Sequence, residues 1–152
     1  MVVAPVGGVV TALADVPDPV FAEAMVGPGL AVLPSEAPAE TESIAVAPVA
    51  GTLVTVHPHA FVVLTASGRG VLVHLGIDTV QLRGAGFHVH ASVGAVLAVG
   101  DPVVSWSPGA VAAGGRSALV PVVALDAPAE ALRPTVAPGD RVEPGQSLFV
   151  WS

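Results

Sequence analysis

Short runs of Val, Leu, Ile and Thr recur along the chain, and each is cut off within a few residues by Gly, Pro or Asp. No helical apolar period is sustained for more than about three turns, the usual length of a globular helix. Apolar runs bounded in this way predict many short strands. Seventeen Gly and fifteen Pro supply the punctuation. Two brief helices are expected, Val20–Met25 after Asp18-Pro19 and Pro108–Ala113. The acidic, Pro-containing stretch from Glu36 to Ser43 reads as a surface loop. The fold class predicted is all-β with short helical turns.

Two internal echoes refine this. Ala4-Pro5-Val6-Gly7-Gly8 returns as Ala47-Pro48-Val49-Ala50-Gly51, followed by the strand-like runs Val9-Val10-Thr11 and Thr52-Leu53-Val54. Gly94, Gly100 and Trp106 return as Gly139, Gly145 and Trp151 at the same spacing. Glycines at fixed offsets supply turn positions with positive φ, and each Trp would close the same core. Either echo alone is compatible with chance recurrence in a Gly/Val-rich chain. Together they predict a pseudo-symmetric β-sandwich in which like hairpins occur twice.

Composition narrows the chemistry. A length of 152 residues fits a single domain spanning 1–152, and 53% hydrophobic residues suffice for a core. The formal charge of −7 argues against a nucleic-acid partner, which requires a basic face. With only 11% charged residues, a salt-bridge-laced coiled coil is also excluded. The absence of Cys removes disulfides, thiolate nucleophiles and Cys-ligated metals. Lys is absent too, which removes Schiff-base chemistry, a phosphate-loop lysine and the attachment point of a lipoyl or biotinyl arm. Asn and Tyr are also missing; Lys, Asn and Tyr share AT-rich codons, so the coding sequence reads as GC-rich. The longest uncharged stretch, Ile44 to Gly68, is broken by Pro48, Gly51 and Pro58, so no membrane-spanning segment is expected. Met1-Val2-Val3-Ala4-Pro5 lacks the basic region and long apolar core of a signal peptide. A cytoplasmic location is expected.

The remaining candidates for chemistry are His57, His59, His74, His88 and His90. The segment from His59 to His74 reads as a hairpin turning at Ser67-Gly68. With those two residues as the loop, Ala66 pairs with Arg69, Phe61 with His74 and His59 with Gly76. His59 and His74 then share a face as diagonal neighbours, with Phe61 and Val63 beside them. A one-residue slip would send them to opposite faces. Two facing imidazoles on an apolar floor suit phosphoryl transfer. A neutral ring nitrogen is nucleophilic near physiological pH, and a second ring can hydrogen-bond the transferring oxygens. Spacing alone also accommodates two partly exposed strand histidines without chemistry.

An ordered series of blocks runs through the chain: Val16-Pro17-Asp18-Pro19-Val20-Phe21-Ala22-Glu23, Gly27-Pro28-Gly29, Ala47-Pro48-Val49-Ala50-Gly51, His59-Ala60-Phe61, Val73-His74-Leu75-Gly76-Ile77-Asp78-Thr79-Val80, Gly84-Ala85-Gly86-Phe87 and Pro121-Val122-Val123. In these blocks the chain resembles the glucose-type enzyme IIA (EIIA) of the bacterial phosphoenolpyruvate-dependent sugar phosphotransferase system, from Ala4 to Trp151. The resemblance implies a β-sandwich of the barrel-sandwich hybrid type. It implies that His74 becomes a tele-phosphohistidine, receiving its phosphoryl group from the phosphocarrier protein HPr. His74 would then pass the group to a cysteine of an enzyme IIB (EIIB) domain during sugar uptake, and His59 would assist without being phosphorylated. By the same resemblance Val20, Phe21, Met25, Val26 and Phe61 belong to an apolar docking face, and Asp78 has a docking or supporting role. Regulatory protein partners are implied as well. In some members the two histidines help bind zinc with a partner; no resident metal and no cofactor are expected here.

Two departures stand out. The position two before His59 is often Thr in the family and is His57 here; it is either a substitute for that hydroxyl or a solvent-facing residue. The chain also begins almost at its first strand, so an N-terminal membrane-contacting segment is not expected. A domain of charge −7 calls for an uneven charge distribution or a basic partner. Two competing functions are a regulatory binding module that has lost phosphotransfer, and a lysostaphin-like zinc endopeptidase built on His74-x-x-x-Asp78 and His88-x-His90.

Overall fold

A computed structural model describes residues 1–152. Fourteen short strands follow the apolar runs: β1 (Val2–Val3), β2 (Gly8–Ala12), β3 (Gly29–Leu33), β4 (Ser43–Val46), β5 (Gly51–His57), β6 (Ala60–Leu64), β7 (Gly70–His74), β8 (His88–Val89), β9 (Val96–Leu97), β10 (Pro102–Trp106), β11 (Val120–Ala124), β12 (Leu132–Pro134), β13 (Arg141–Val142) and β14 (Ser147–Trp151). An eight-stranded antiparallel sheet runs β13-β2-β3-β11-β7-β6-β5-β9. Two three-stranded sheets, β1-β14-β12 and β4-β10-β8, complete the sandwich. No helix is long and apolar enough to cross a membrane.

The sequence echoes are the two halves of this architecture. Val142 pairs with Gly8 as Leu97 pairs with Gly51. Val2 faces Phe149 as Ala45 faces Val104. The four echo glycines all have positive φ: 94° at Gly94, 88° at Gly100, 96° at Gly139 and 92° at Gly145. The tryptophans differ from expectation. Trp106 is fully buried in the main core with Phe61 and Phe149. Trp151, on the last strand of the chain, sits half-buried at the core rim. There its ring lies under the Arg69 guanidinium at 5.2 Å, and its carbonyl accepts from Arg69 at 2.6 Å.

Both expected helices form, each started by a side-chain cap and a proline in its first turn. Asp18 accepts from the Val20 amide at 2.9 Å to open α1 (Pro19–Ala22). Ser107 accepts from the Ala110 amide at 3.0 Å to open α2 (Pro108–Ala113). These caps satisfy otherwise orphaned N–H groups, and Pro gives up none that the helix needs. The α1 helix is shorter than expected because Ala24 takes a left-handed φ of 51° and turns the chain.

A second, smaller core lies on the outer face of the long sheet. Leu13, Val16, Phe21, Ala31, Ile77 and Val123 form it, with Leu72 and Val26 packed alongside. Most of the covering residues come from the 13–28 connection between β2 and β3, which crosses the sheet there.

Gly29 is the tightest point beneath that connection. It sits opposite Val123 in the β3–β11 ladder, and a Cβ there would run into the Val122 carbonyl oxygen. Gly29→Ala is expected to destabilise the protein by about 1–3 kcal/mol, the usual cost of overpacking. Thermal unfolding of the variant against the parent chain measures this.

Candidate functional site

The two hairpins that carry the histidines differ in loop length, and that difference builds the site. Across the β5–β6 hairpin His57 pairs with Ala60, leaving Pro58-His59 as a two-residue turn. Across the β6–β7 hairpin Ala60 pairs with His74, Phe61 with Val73 and Leu64 with Gly70. The Thr65 amide donates to the Arg69 carbonyl at 2.9 Å, so the loop is Ala66-Ser67-Gly68. Gly68 takes a φ of 86° at its end. Such a three-residue loop, closed by a left-handed Gly, is a standard alternative to the two-residue turn. The expected register, Phe61 with His74, is therefore off by one residue.

The slip moves Phe61 and Val63 to the inner face, where both are fully buried in the main core. They do not share a face with His74, and Phe61 is not part of an exposed docking face. Yet the slip does not separate the histidines. His59 stands in a turn, outside the alternation that would have sent it to the other face. Its carbonyl accepts from the Leu75 amide at 2.7 Å, and its ring lies 5.2 Å from that of His74 at an interplanar angle of 69°. On the other side, Phe21 meets the His74 ring edge at 5.2 Å.

One hydrogen bond sets the chemistry of His74. Its Nδ1 lies 2.6 Å from the Gly76 carbonyl oxygen. A carbonyl can only accept, so Nδ1 carries the proton and Nε2 keeps its lone pair. The Gly76 carbonyl is itself held in place. Gly76 has a φ of 80°, and the Thr79 hydroxyl next to it donates to the Leu75 carbonyl at 2.6 Å. The following amide, Ile77, donates to the Ser117 carbonyl at 2.9 Å.

Both imidazoles are pushed towards their neutral forms. Burial lowers the His74 pKa, opposed by the hydrogen bond to Gly76 and by the charges of Asp18 and Asp78. Burial also lowers that of His59, and repulsion from His74 and then from His57 adds to it. Neutral rings are what a nitrogen nucleophile and a hydrogen-bonding neighbour require.

Around the rings, Val20 is 42% exposed and Met25 67% exposed, while Phe21 is buried beneath them and Val26 half-buried. Asp78 is exposed and takes a left-handed φ of 60°. Three contributors were not singled out from sequence. Asp18, treated only as a helix start, bears on the charge of His74. The Gly76 carbonyl fixes the tautomer, and Gly two residues after a His was its only trace. Val80, 57% exposed, follows Asp78 in a 3-10 turn and adds an apolar surface.

The remaining histidines lie elsewhere. His88 is exposed on β8, with Nε2 4.0 Å from a Glu42 carboxylate oxygen, and His90 bonds the Ser105 hydroxyl across to β10. No three His, Cys, Asp or Glu side chains gather to hold a metal. His59 and His74 alone would be half of the four ligands zinc takes. The four ligand pieces of the zinc-peptidase reading therefore do not assemble.

Comparison with known proteins places this geometry in context. The model of the family described as "phosphoenolpyruvate-dependent sugar phosphotransferase system, EIIA 1" matches residues 1–130. The glucose-specific EIIA component of Bacillus cereus is 35% identical over 138 residues, covering 89% of this chain and 80% of that protein. The N-acetylglucosamine-specific EIICBA component of Escherichia coli is 42% identical over 123 residues, covering 80% of this chain but only 18% of that protein. The glucose permease IIA from Mycoplasma capricolum superposes with a TM-score of 0.84 at 32% identity, covering 97% of this chain and 92% of that one.

The lowered pKa values give a pH signature. For a group whose pKa is lower folded than unfolded, stability is full above the unfolded value, here 6.5, and is lost as pH falls through the folded one. The Tm is therefore expected to hold above neutrality and to start falling below pH 6.5. His74→Gln should flatten that first decline. Ring-proton NMR should find both midpoints below 6.5, with that of His59 rising once His74 is replaced by Gln.

Proposed function

This chain belongs to the EIIA 1 family of the phosphoenolpyruvate-dependent sugar phosphotransferase system, and on that premise we propose that it carries a phosphoryl group on Nε2 of His74. The observation that carries this reading is the bond from His74 Nδ1 to the Gly76 carbonyl, which leaves Nε2 as the lone-pair nitrogen beside His59. The phosphoryl donor is HPr, phosphorylated on a histidine. The Nε2 lone pair attacks phosphorus, and the donor's nitrogen–phosphorus bond breaks with its electron pair returning to the donor ring. In the second transfer a thiolate of an EIIB domain attacks the same phosphorus, and the pair returns to His74 Nε2. His59 donates a hydrogen bond to the phosphoryl oxygens and lowers the barrier by offsetting their charge.

Docking follows from the rim of the site. Val20, Met25 and Val80 present apolar surface, and Asp18 and Asp78 add negative charge that suits a partner with a basic face. Phe21 and Val26 support this surface from beneath. The Escherichia coli relative is named for C, B and A components together, which supports an EIIB partner. The relatives are named for glucose in one case and N-acetylglucosamine in the other, and neither phosphoryl transfer involves a sugar. The sugar is chosen by the partner. We take residues 1–152 as one such domain acting in the cytoplasm, since β14 pairs with β1 and ties the residues after 130 back to the start. It needs no cofactor of its own.

The test combines the protein with phosphoenolpyruvate, enzyme I and HPr and reads intact mass. The parent chain and His59→Ala are expected to gain one acid-labile phosphoryl group, and His74→Ala none. Onward transfer from phosphorylated His59→Ala to an EIIB domain is expected to slow by about 10²-fold or more, the usual cost of losing a charge-stabilising donor. A parent chain that stays unmodified would overturn the assignment.

Gly76→Ala probes the tautomer lock. A Cβ would stand 2.6 Å from Thr79 Cγ2 and 3.0 Å from the Ser117 carbonyl oxygen on a residue with φ of 80°, so the turn that carries the carbonyl is strained. The phosphorylation rate is expected to fall by at least about tenfold, as expected for a misplaced nucleophile. Quench-flow mass measurement would read it.

A further inference from the structure

Four aromatic rings form a row from solvent into the smaller core. His57 is exposed, His59 and His74 are half-buried, and Phe21 is buried. His57 lies 5.7 Å from His59 with ring planes only 20° apart. The next two contacts, His59 to His74 and His74 to Phe21, are edge-on. The arrangement arises from the backbone, because His57 closes the two-residue turn opposite Ala60 and His59 stands in that turn.

The two rings at the centre are held by different means. His74 is anchored in its plane by the bond to the Gly76 carbonyl and on one side by Phe21. The His59 ring makes no hydrogen bond to the protein. Its side chain projects from a turn, where strand neighbours do not restrict it, and only two rings touch it. His74 meets it edge-on and leaves its tilt free, whereas the near-parallel, offset ring of His57 opposes tilting.

We propose that His57 is a positioning residue, stacking on the outer face of His59 and holding that imidazole in the plane from which it can reach a phosphoryl group on His74. The inference rests on the phosphocarrier reading for its consequence, though not for the stack itself. A stacked ring fixes the plane of its neighbour without occupying either of its nitrogens. Both nitrogens of His59 thus stay available. A hydrogen-bonding side chain at position 57 would instead consume one of them.

The decisive comparison is among the parent chain, His57→Ala and His57→Phe. Phe keeps a flat ring and has no nitrogen. Transfer from the phosphorylated protein to an EIIB domain is expected to lose roughly two- to tenfold in kcat in His57→Ala, the range a stacked aromatic pair supports, with KM unchanged. His57→Phe is expected to restore it. In the unphosphorylated protein, His57→Ala should shift the His59 ring-proton resonances through the lost ring current, and by more than it shifts those of His74. A parent-like kcat in His57→Ala, or a Phe variant no faster than Ala, would overturn the proposal. Unmoved His59 resonances would overturn the stack. That readout needs no phosphoryl group, so it decides the stack even if the phosphocarrier reading fails.

Discussion

The antiparallel pairing of β7 with β11 is the seam on which the molecule depends. It joins the two halves of the eight-stranded sheet, with Leu72 opposite Val123 at its centre, Val73 opposite Val122 and Val71 opposite Ala124 beside it, and four strands on either side. Every inner residue along this seam is fully buried, so its backbone polar groups must be paired within the sheet. The site grows from the same strand. His74 is the last residue of β7, and where the ladder ends the chain turns through Gly76 and offers a carbonyl back to it. The His74 backbone is thus held by a paired strand rather than by a loop.

Pseudo-symmetry explains why there is one site and not two. The halves agree in strand order and in their glycine turns, but their connections differ. Between β5 and β6 the chain spends two residues; between β2 and β3 it spends residues 13–28. The short turn delivers His59. The long connection covers the outer sheet face with Leu13, Val16 and Phe21 and so encloses the His74 ring on one side. Burial by that cover is also the first cause of the lowered His74 pKa. Fold asymmetry, ring packing and the lowered pKa of His74 are therefore a single arrangement.

Electrostatics around the rings works in two directions. Burial and mutual repulsion favour neutral imidazoles, while Asp18 and Asp78 oppose this at His74. The two carboxylates lie near the ring without a hydrogen bond to it, so they partly offset the lowering of its pKa and leave Nε2 free. They also leave a negative rim beside the exposed apolar side chains of Val20, Met25 and Val80. In an acidic protein with only five cationic side chains, that rim suits the basic partner face that the proposed function calls for.

Strand positions, both helix starts, the duplicated hairpins and the meeting of His59 with His74 were legible from the residues. They rest on local causes: β-branched runs, Asp-Pro and Ser-Pro caps, glycines at left-handed turns and the specific blocks around the two histidines. Register was not legible, because a two-residue and a three-residue loop at Ser67-Gly68 differ only in backbone geometry. That single residue moved Phe61 from the expected docking face into the core. Trp151 shows the same limit, since an echo in sequence cannot say that the last strand lies at a rim. The Nδ1–Gly76 bond, the influence of Asp18 and the stack of His57 on His59 all join groups whose meeting depends on how the turns close. Local chemistry determined which elements form and which residues can react. Tertiary structure alone decided which faces those residues share, because side-chain direction in a sheet reverses with every residue of register.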